Sequence, residues 1–404
     1  MRRLLAISVM TAVSPAATTS AQQYQLIDLG AITALTTPAS INSADVVVGW
    51  SMQADSAFRA VRWDGSLVNL GSVVGFTQST ATALNDDGSI LGAAYSLGNP
   101  VVRAVRFDGV MPTVLGEFAP RAINIAGDVV GRATGTSPDG LFAMRACLYR
   151  AGSITVLPSL GGLCSDAFDI NTAGWVVGSA YLAGDRVQRP TLWIGGVAID
   201  LGTLAGTASA TGQAKGINDQ GTIVGWSGSS SGVARATLFR VTGAGAVSWR
   251  ADLGVLAAGS SSFANAVNAS EQVVGTSDWR AFIWSAGAMV DLNTRVSAQG
   301  WVLETATGIN DQGRIIGSGS MNGYPRAFLL VPHCGPADIA GLGGTQTPDG
   351  TLTPDDLVAY LAAFFAGNAP VADIASLGGA FGPDGQVTVD DLVAYLAAFF
   401  SGCP

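Results

Sequence analysis

The chain has 404 residues, 48% of them hydrophobic and 12% charged, with a formal net charge of −9 and 53 glycines. Lys215 is the single lysine and His333 the single histidine, so no basic stripe exists to neutralise phosphates, and a nucleic-acid partner is excluded. Sparse charge and abundant glycine point to short strands and many turns, and the length suits one large domain followed by a smaller one.

Met1, Arg2 and Arg3 open the chain with positive charge, and an apolar stretch follows from residue 4 to 17. Thr19, Ser20 and Ala21 put small residues at −3 and −1 of a cleavage point before Gln22, so residues 1–21 read as a signal peptide. The expected location is extracellular or at the cell surface. No later stretch reaches the ~20 apolar residues that a membrane span needs. All four cysteines lie beyond the signal, an even count suited to an oxidising compartment. The expected pairs are Cys147 with Cys164, and Cys334 with Cys403 across the two ends of the C-terminal region.

Residues 22–332 read as a repeat. A motif close to Ile-Asn-x-x-Gly-x-Val-Val-Gly recurs seven times, on Asn42, Asn85, Asn124, Asn171, Asn218, Asn268 and Asn310. Between its copies runs Arg-Ala followed by an aromatic residue four positions after the arginine. The arginines are Arg59, Arg103, Arg145, Arg189, Arg235, Arg280 and Arg326; the aromatics are Trp63, Phe107, Tyr149, Trp193, Phe239 and Trp284, with Leu330 breaking the series. An Asp-Leu-Gly element or a variant comes third, as at Asp200 and Asp252. The pieces are short β-formers bounded by turn residues, and Asn218-Asp219-Gln220-Gly221 reads as a tight hairpin loop whose glycine supplies positive φ. A unit of about 45 residues with three or four strands is the signature of a propeller blade. Tyr24 to Gly30 carries the third element with nothing before it, and the last unit ends on the second element with nothing after it. Joining these orphans predicts a mainly β, seven-bladed propeller closed by strands from both ends, against an open β-solenoid that would leave both unpaired. These units resemble the extracellular HAF repeat family, a likeness that implies export and a repeat architecture and brings no catalytic residues with it.

Residues 333–404 differ in character. The segment Asp355 to Phe365 recurs letter for letter as Asp390 to Phe400, 35 positions on, and from Ala337 onward there are eight carboxylates and no Lys, Arg or His. Leu357, Tyr360, Leu361 and Phe364 fall on one helical face, and Leu392, Tyr395, Leu396 and Phe399 repeat it, so the two helices are expected to bury those faces together. Like charges in such number repel, and a bound hard cation relieves them. Read as turn chemistry alone, Pro-Asp-Gly is a bend and Asp-Asp a helix N-terminus.

Two acidic loops, each followed by one amphipathic helix, resemble a dockerin, and the Gly402-Cys403-Pro404 ending is similar to the GC-type dockerin-like anchors of secreted planctomycete proteins. The resemblance implies two Ca²⁺ sites. Asp338 and Asp373 match loop position 1, Asp349 and Asp384 position 5, and Thr351 and Gln386 the backbone ligand at position 7. Thr353 and Thr388 match position 9, and Asp356 and Asp391 position 12. An insertion after position 1 leaves position 3 without an occupant. Positions 10 and 11, which in dockerins touch the partner, fall on Pro354 and Asp355 and on Val389 and Asp390. The implied partner is a cohesin-like or surface-anchoring protein.

Catalytic constellations are thin. His333 lies outside the repeats, no zinc signature occurs, and Asp64, Asp108, Asp169 and Asp185 are the carboxylates that break the repeat. The arginines recur in every unit, which favours a supporting role, bonding carbonyls or an Asp such as Asp200 or Asp291. Trp50, Trp175, Trp226, Trp279 and Trp301 fall outside the aromatic register. The reading is a secreted, non-enzymatic binding protein that presents a propeller face to a ligand such as a glycan. Its rival is a propeller glycoside hydrolase or lyase, which two co-located, non-repeating carboxylates in the channel would favour.

Overall fold

The computed structural model describes residues 23–30, 36–99, 101–107, 112–136, 142–243, 245–333, 354–375 and 385–401. Residues 24–332 make one compact unit, and 333–404 belong to a second. The signal peptide, Cys334 and Cys403, Asp108, and the loop candidates Asp338, Asp349, Thr351, Thr353 and Asp384 lie outside the described residues.

The first unit is a propeller of seven four-stranded sheets. The innermost strands are Thr36–Ile41, Gln78–Leu84, Ala119–Ile123, Gly161–Ile170, Gly212–Ile217, Ser262–Val267 and Trp301–Ile309. Blades one to seven are numbered by these strands. The outer strand of blade seven is Gln23–Asp28, hydrogen-bonded to Tyr324–His333. The expected closure by both chain ends is therefore what the fold shows, and the open solenoid is excluded.

Every second strand carries the repeat's two aliphatic residues and a glycine, Val-Val-Gly in four blades, and the glycine is fixed by a steric fact. Each inner strand holds one extra residue, a β-bulge, opposite this glycine: at residues 39, 82, 121, 168, 215 and 265, and again at 307. The bulge drives an inner-strand carbonyl against the glycine. A Cβ at Gly131 would stand 2.1 Å from the Ala119 oxygen, and one at Gly178 2.0 Å from the Asp166 oxygen. Only a residue without a side chain fits.

Between blades, apolar side chains interlock on both sheet faces. Val177 and Leu192 of blade four pack with Ile217, Ile223 and Phe239 of blade five, and each such buried side chain contributes about 1.5–3 kcal/mol. The aromatic register supplies part of this core: Trp193 is 1% exposed and Phe239 is fully buried. The repeated arginines have the supporting role the sequence favours. Arg189 pairs with Asp200 at 3.6 Å and donates to the Ala210 and Thr207 carbonyls at 2.8 and 2.9 Å. Arg235 pairs with Asp252, Arg280 with Asp291, and Arg326 with Asp28. Each clamps the connection to the next blade.

The expected Cys147–Cys164 disulfide is corrected: both thiols are free. Cys147 sits on the third strand of blade three, with its side chain in the core shared with Ala83, Leu91 and Ala104 of blade two. Cys164 belongs to blade four, on the other side of blade three. Its neighbour Ala146 is the residue that faces blade four. Sequence proximity brought the two cysteines onto adjacent blades, and strand alternation turned Cys147 away. Burial, with the charge of Asp166 adding to it, pushes the Cys147 thiol up to about 12, so it is an inert core residue.

In the second unit, helices α1 (Pro354–Phe365), α2 (Ala369–Ala372) and α3 (Val389–Ser401) are described. The duplicated faces bury each other as expected: Tyr360 and Tyr395 stack with ring centroids 3.7 Å apart and planes 8° apart, amid Leu357, Phe364, Leu392 and Phe399. Among the described residues no helix is long and apolar enough to cross a membrane.

Candidate functional site

The seven repeat asparagines form a closed ring around the propeller axis. Each sits at the first position of the hairpin after the inner strand. Its Oδ1 accepts the N–H four residues on, as from Thr222 to Asn218 at 2.8 Å. Its Nδ2 donates to the backbone carbonyl of the next blade's asparagine: Asn42 to Asn85, Asn85 to Asn124, and so on around to Asn310, which donates to Asn42. These distances run from 2.9 Å at Asn218 to 3.3 Å at Asn42. Asparagine alone does both jobs, because the role needs a donor and an acceptor on one short side chain. The fourth residue of the hairpin takes positive φ; it is glycine in five blades, while Asp45 (φ 61) and Glu271 (φ 59) adopt the same geometry. Asn218→Ala removes both bonds and strands a buried donor, so a loss of about 2–3 kcal/mol is expected, read as a lower denaturant midpoint.

A cavity of about 360 Å³ opens inside this ring, walled by the aliphatic residue before each asparagine and by the residue after six of them. Three of the latter are aspartates, but each is tied down: Asp86 accepts the Ser43 N–H at 2.8 Å, Asp219 that of Thr172 at 2.9 Å, and Asp311 that of Ala269 at 2.8 Å. The rim is thus chiefly a device that locks blades together.

Three residues before each asparagine the symmetry breaks. The bulged residue is partly or fully exposed in every blade, while the residue before it on the strand is buried. In blades three, four and five the bulged residue is Arg121, Phe168 and Lys215. Lys215 Nζ lies 3.6 Å from the centroid of the Phe168 ring, and the Arg121 guanidinium carbon 5.7 Å from it. Cations favour the ring face because its quadrupole is negative there. Asp166 bonds Arg121 at 3.3 Å and pairs with Arg132 at 3.4 Å. Burial raises its carboxyl despite both guanidiniums, and its Oδ1 is buried without a hydrogen-bond partner. Burial, helped by repulsion from Arg121, lowers the Lys215 amine to about 8. Asp169, beside the bulge, accepts the N–H groups of Ile170 and Ile217, each at 2.9 Å. Its depth pushes the carboxyl to about 6.

The other sequence candidates disperse. Asp64 pairs with Arg62 and Asp185 holds the Leu163 N–H, neither in the channel. Trp50 and Trp226 are ring partners of Phe58 and Phe263 rather than loop residues. Trp279 is 85% exposed on a two-residue turn with Asp278, both at positive φ. His333 ends the last propeller strand. Sequence reasoning marked Lys215 only as the single lysine and missed Arg121, Asp166 and Phe168. The available signal was their spacing: each of Arg121, Phe168 and Lys215 stands three residues before a repeat asparagine.

In the tail, Asp373 Oδ2 accepts the Gly385 N–H at 2.5 Å, which draws loop positions 1 and 6 together despite the insertion. Asp391 accepts N–H groups from Ile374, Ala375 and Thr388 at 2.8, 2.7 and 2.6 Å and the Thr388 hydroxyl at 3.1 Å. Burial works against its ionisation, yet these donors outweigh it and hold the carboxyl below its ordinary range. Asp391 thus caps the start of α3 by accepting the Thr388 N–H, one half of a capping box, and both its oxygens carry bonds. Among the described residues no group of three metal-binding side chains is gathered. Pro354 and Val389 are exposed, Asp355 and Asp390 half-buried.

No protein-family model matches the sequence, nor does any curated protein. Solved structures share the fold. A Mycobacterium tuberculosis puromycin-hydrolyzing peptidase is 11% identical with a TM-score of 0.52, the alignment covering 76% of this chain and 53% of that one. A puromycin hydrolase is 14% identical at TM-score 0.50, covering 73% and 52%. A prolyl endopeptidase structure is 12% identical at 0.50, covering 77% and 47%. Such identities establish the propeller alone, and this chain spans about half the length of these structures.

Proposed function

We propose that this is an exported, non-enzymatic binding protein whose propeller presents a ligand-binding face and whose dockerin-like tail fixes it to an extracellular scaffold or the cell surface. The observation that carries the reading is a duplicated apolar stripe on the outside of the tail helices. Val358 is 64% exposed and Phe365 81% on α1, while Val389 is 69% and Val393 59% exposed on α3. Val358 and Val393 occupy equivalent positions in the two copies, and the stripes begin at the partner positions Pro354 and Val389. Helix faces left apolar toward water in duplicate are suited to a protein partner. Two Ca²⁺ ions belong to the same reading, since eight carboxylates without a basic residue favour a cation.

The test compares the full chain with a Val358→Asp/Val393→Asp double variant, expressed in the cell that makes the protein. The full chain is expected to stay with the surface fraction and the variant to be released into the medium. Equal retention of a folded variant would end the docking proposal. Separately, millimolar Ca²⁺ is expected to raise the melting temperature of the tail transition relative to chelator. An unchanged transition would remove calcium from the proposal and leave the docking stripe standing.

One observation favours the rival hydrolase or lyase: Asp166 and Asp169 are non-repeating carboxylates on one inner strand, and Asp169 has the raised pKa of a general acid. Against it, both Asp169 oxygens accept backbone N–H groups. Turnover of an acidic polysaccharide that disappears in both Asp166→Asn and Asp169→Asn would establish the enzyme.

A further inference from the structure

The bulge position changes its chemistry from blade to blade, with Ala39 in blade one and polar, aromatic or cationic residues in the others. A residue present in every blade supports the blade, and function in repeat folds gathers where the blades differ. Blades three to five place Arg121, Phe168 and Lys215 there. Blades six, seven and two place Asn265, Thr307 and Thr82, which are neutral hydrogen-bonding side chains. Asn265 Nδ2 donates to the Ala306 carbonyl at 2.8 Å and the Thr307 hydroxyl to that of Pro38 at 3.2 Å. The Asn265 carbonyl oxygen and the Thr307 lone pairs thus remain as acceptors.

The cationic arc carries more positive charge than its partners absorb. Asp166 is shared by Arg121 and Arg132, one carboxylate against two guanidiniums. Among the described residues Lys215 has no hydrogen-bond acceptor; it faces the Phe168 ring and draws on the same Asp166 carboxylate only at a distance. Arg121 keeps 41% of its side chain exposed although its strand neighbours Pro120 and Ala122 are buried. Both cations lie against Phe168, Lys215 at 3.6 Å and Arg121 at 5.7 Å from its ring centroid. In a chain of net charge −9, a pair of incompletely neutralised cations enclosed in the axial channel is a site for a negative group. The neutral arc opposite offers partners for hydroxyls.

We infer that the axial channel binds the oxyanion of an acidic sugar, with Lys215 and Arg121 holding the anionic group and Asn265, Thr307 and Thr82 facing the sugar hydroxyls. The inference rests on the reading of the propeller as a ligand binder and names its ligand class. The oxyanion is the carboxylate of a uronic acid or the sulfate ester of a sulfated sugar, and both present single-charge oxygens to an ammonium and a guanidinium.

Calorimetric titration of the full chain with D-galacturonate, galactose 6-sulfate, galactose and inorganic sulfate tests it. Binding of at least one acidic sugar is expected, with galactose and free sulfate at least tenfold weaker; which acidic sugar binds tighter identifies the source of the oxyanion. Equal affinity for neutral galactose, or for free sulfate, would overturn the assignment, as would no binding of either acidic sugar. Lys215→Met is expected to weaken binding at least tenfold, and Lys215→Arg to keep it within a few fold. Because Lys215 is the single lysine, acetylating the folded native protein gives the same loss without a substitution. Undiminished affinity after complete acetylation would refute the role of Lys215. Loss of surface retention in the tail variant with sugar binding intact, or the reverse, separates this inference from the docking proposal.

Discussion

Gly131→Ala is expected to destabilise the propeller by about 3 kcal/mol or more, while Gly135→Ala on the same strand leaves it unchanged. The two glycines lie four residues apart on the second strand of blade three, Val129–Thr136. A methyl at 131 would meet the Ala119 oxygen at 2.1 Å and the Pro120 Cα at 2.9 Å, both backbone atoms. Neither can move without opening the bulge, which also sets the entry of the inner strand into the asparagine ring. At 135 an added Cβ has nothing within 4 Å, and alanine slightly lowers the entropy of the unfolded chain. Helix or strand propensity predicts the same effect at both sites, so only the close approach at the bulge separates them. Thermal or denaturant unfolding of the two variants checks the contrast. Equal midpoints would mean that the blade accommodates a side chain at the bulge and that the repeated glycine has another cause.

The same feature explains what the sequence made legible. The asparagine, arginine and aromatic registers recur because every blade needs the same contacts, and repetition in a single chain is visible without any other information. Blade count and closure followed from that arithmetic, as did the clamping role of Arg189 and Arg280. The asparagine ring did not follow, because its bonds join residues such as Asn310 and Asn42 whose nearness exists only once the propeller closes. Arg121, Phe168 and Lys215 were hidden for a related reason. A bulge inserts one residue into a strand, so the alternation that separates inward from outward side chains slips by one. Read with an unbroken period of two, Lys215 belongs to a blade face; with the bulge it turns toward the axis. The cysteine pair failed on the same kind of detail, since Ala146 and Cys147 differ by one residue and face opposite blades.

Removing residues 22–30 is expected to give an insoluble protein, or one that melts well below the chain beginning at Gln22. Strand Gln23–Asp28 is the outer strand of blade seven, and its loss leaves Tyr324–His333 as a bare edge. The strand is also anchored by more than its ladder. Tyr24 is 5% exposed within the core of Leu303, Phe328 and Leu330, and its N–H donates to the Arg295 carbonyl at 2.9 Å. Leu29 is 3% exposed against Val47, Ala327 and Leu329, and its N–H donates to the Ala327 carbonyl at 3.1 Å. Two large side chains lost from buried sites cost about 2–5 kcal/mol each for Leu→Ala-type truncations, and the cavity opens at the junction of blades seven and one. Asp28 would no longer pair with Arg326 at 3.9 Å. An exposed, apolar, unpaired edge is a template for association between chains. In a linear repeat the loss of an end strand stays local; in a closed ring it opens the junction on which blades one and seven both depend. Light scattering and a melting curve on the truncated chain decide between these. A soluble truncated chain with an unchanged midpoint would show that the ring does not need its N-terminal strand to hold shut.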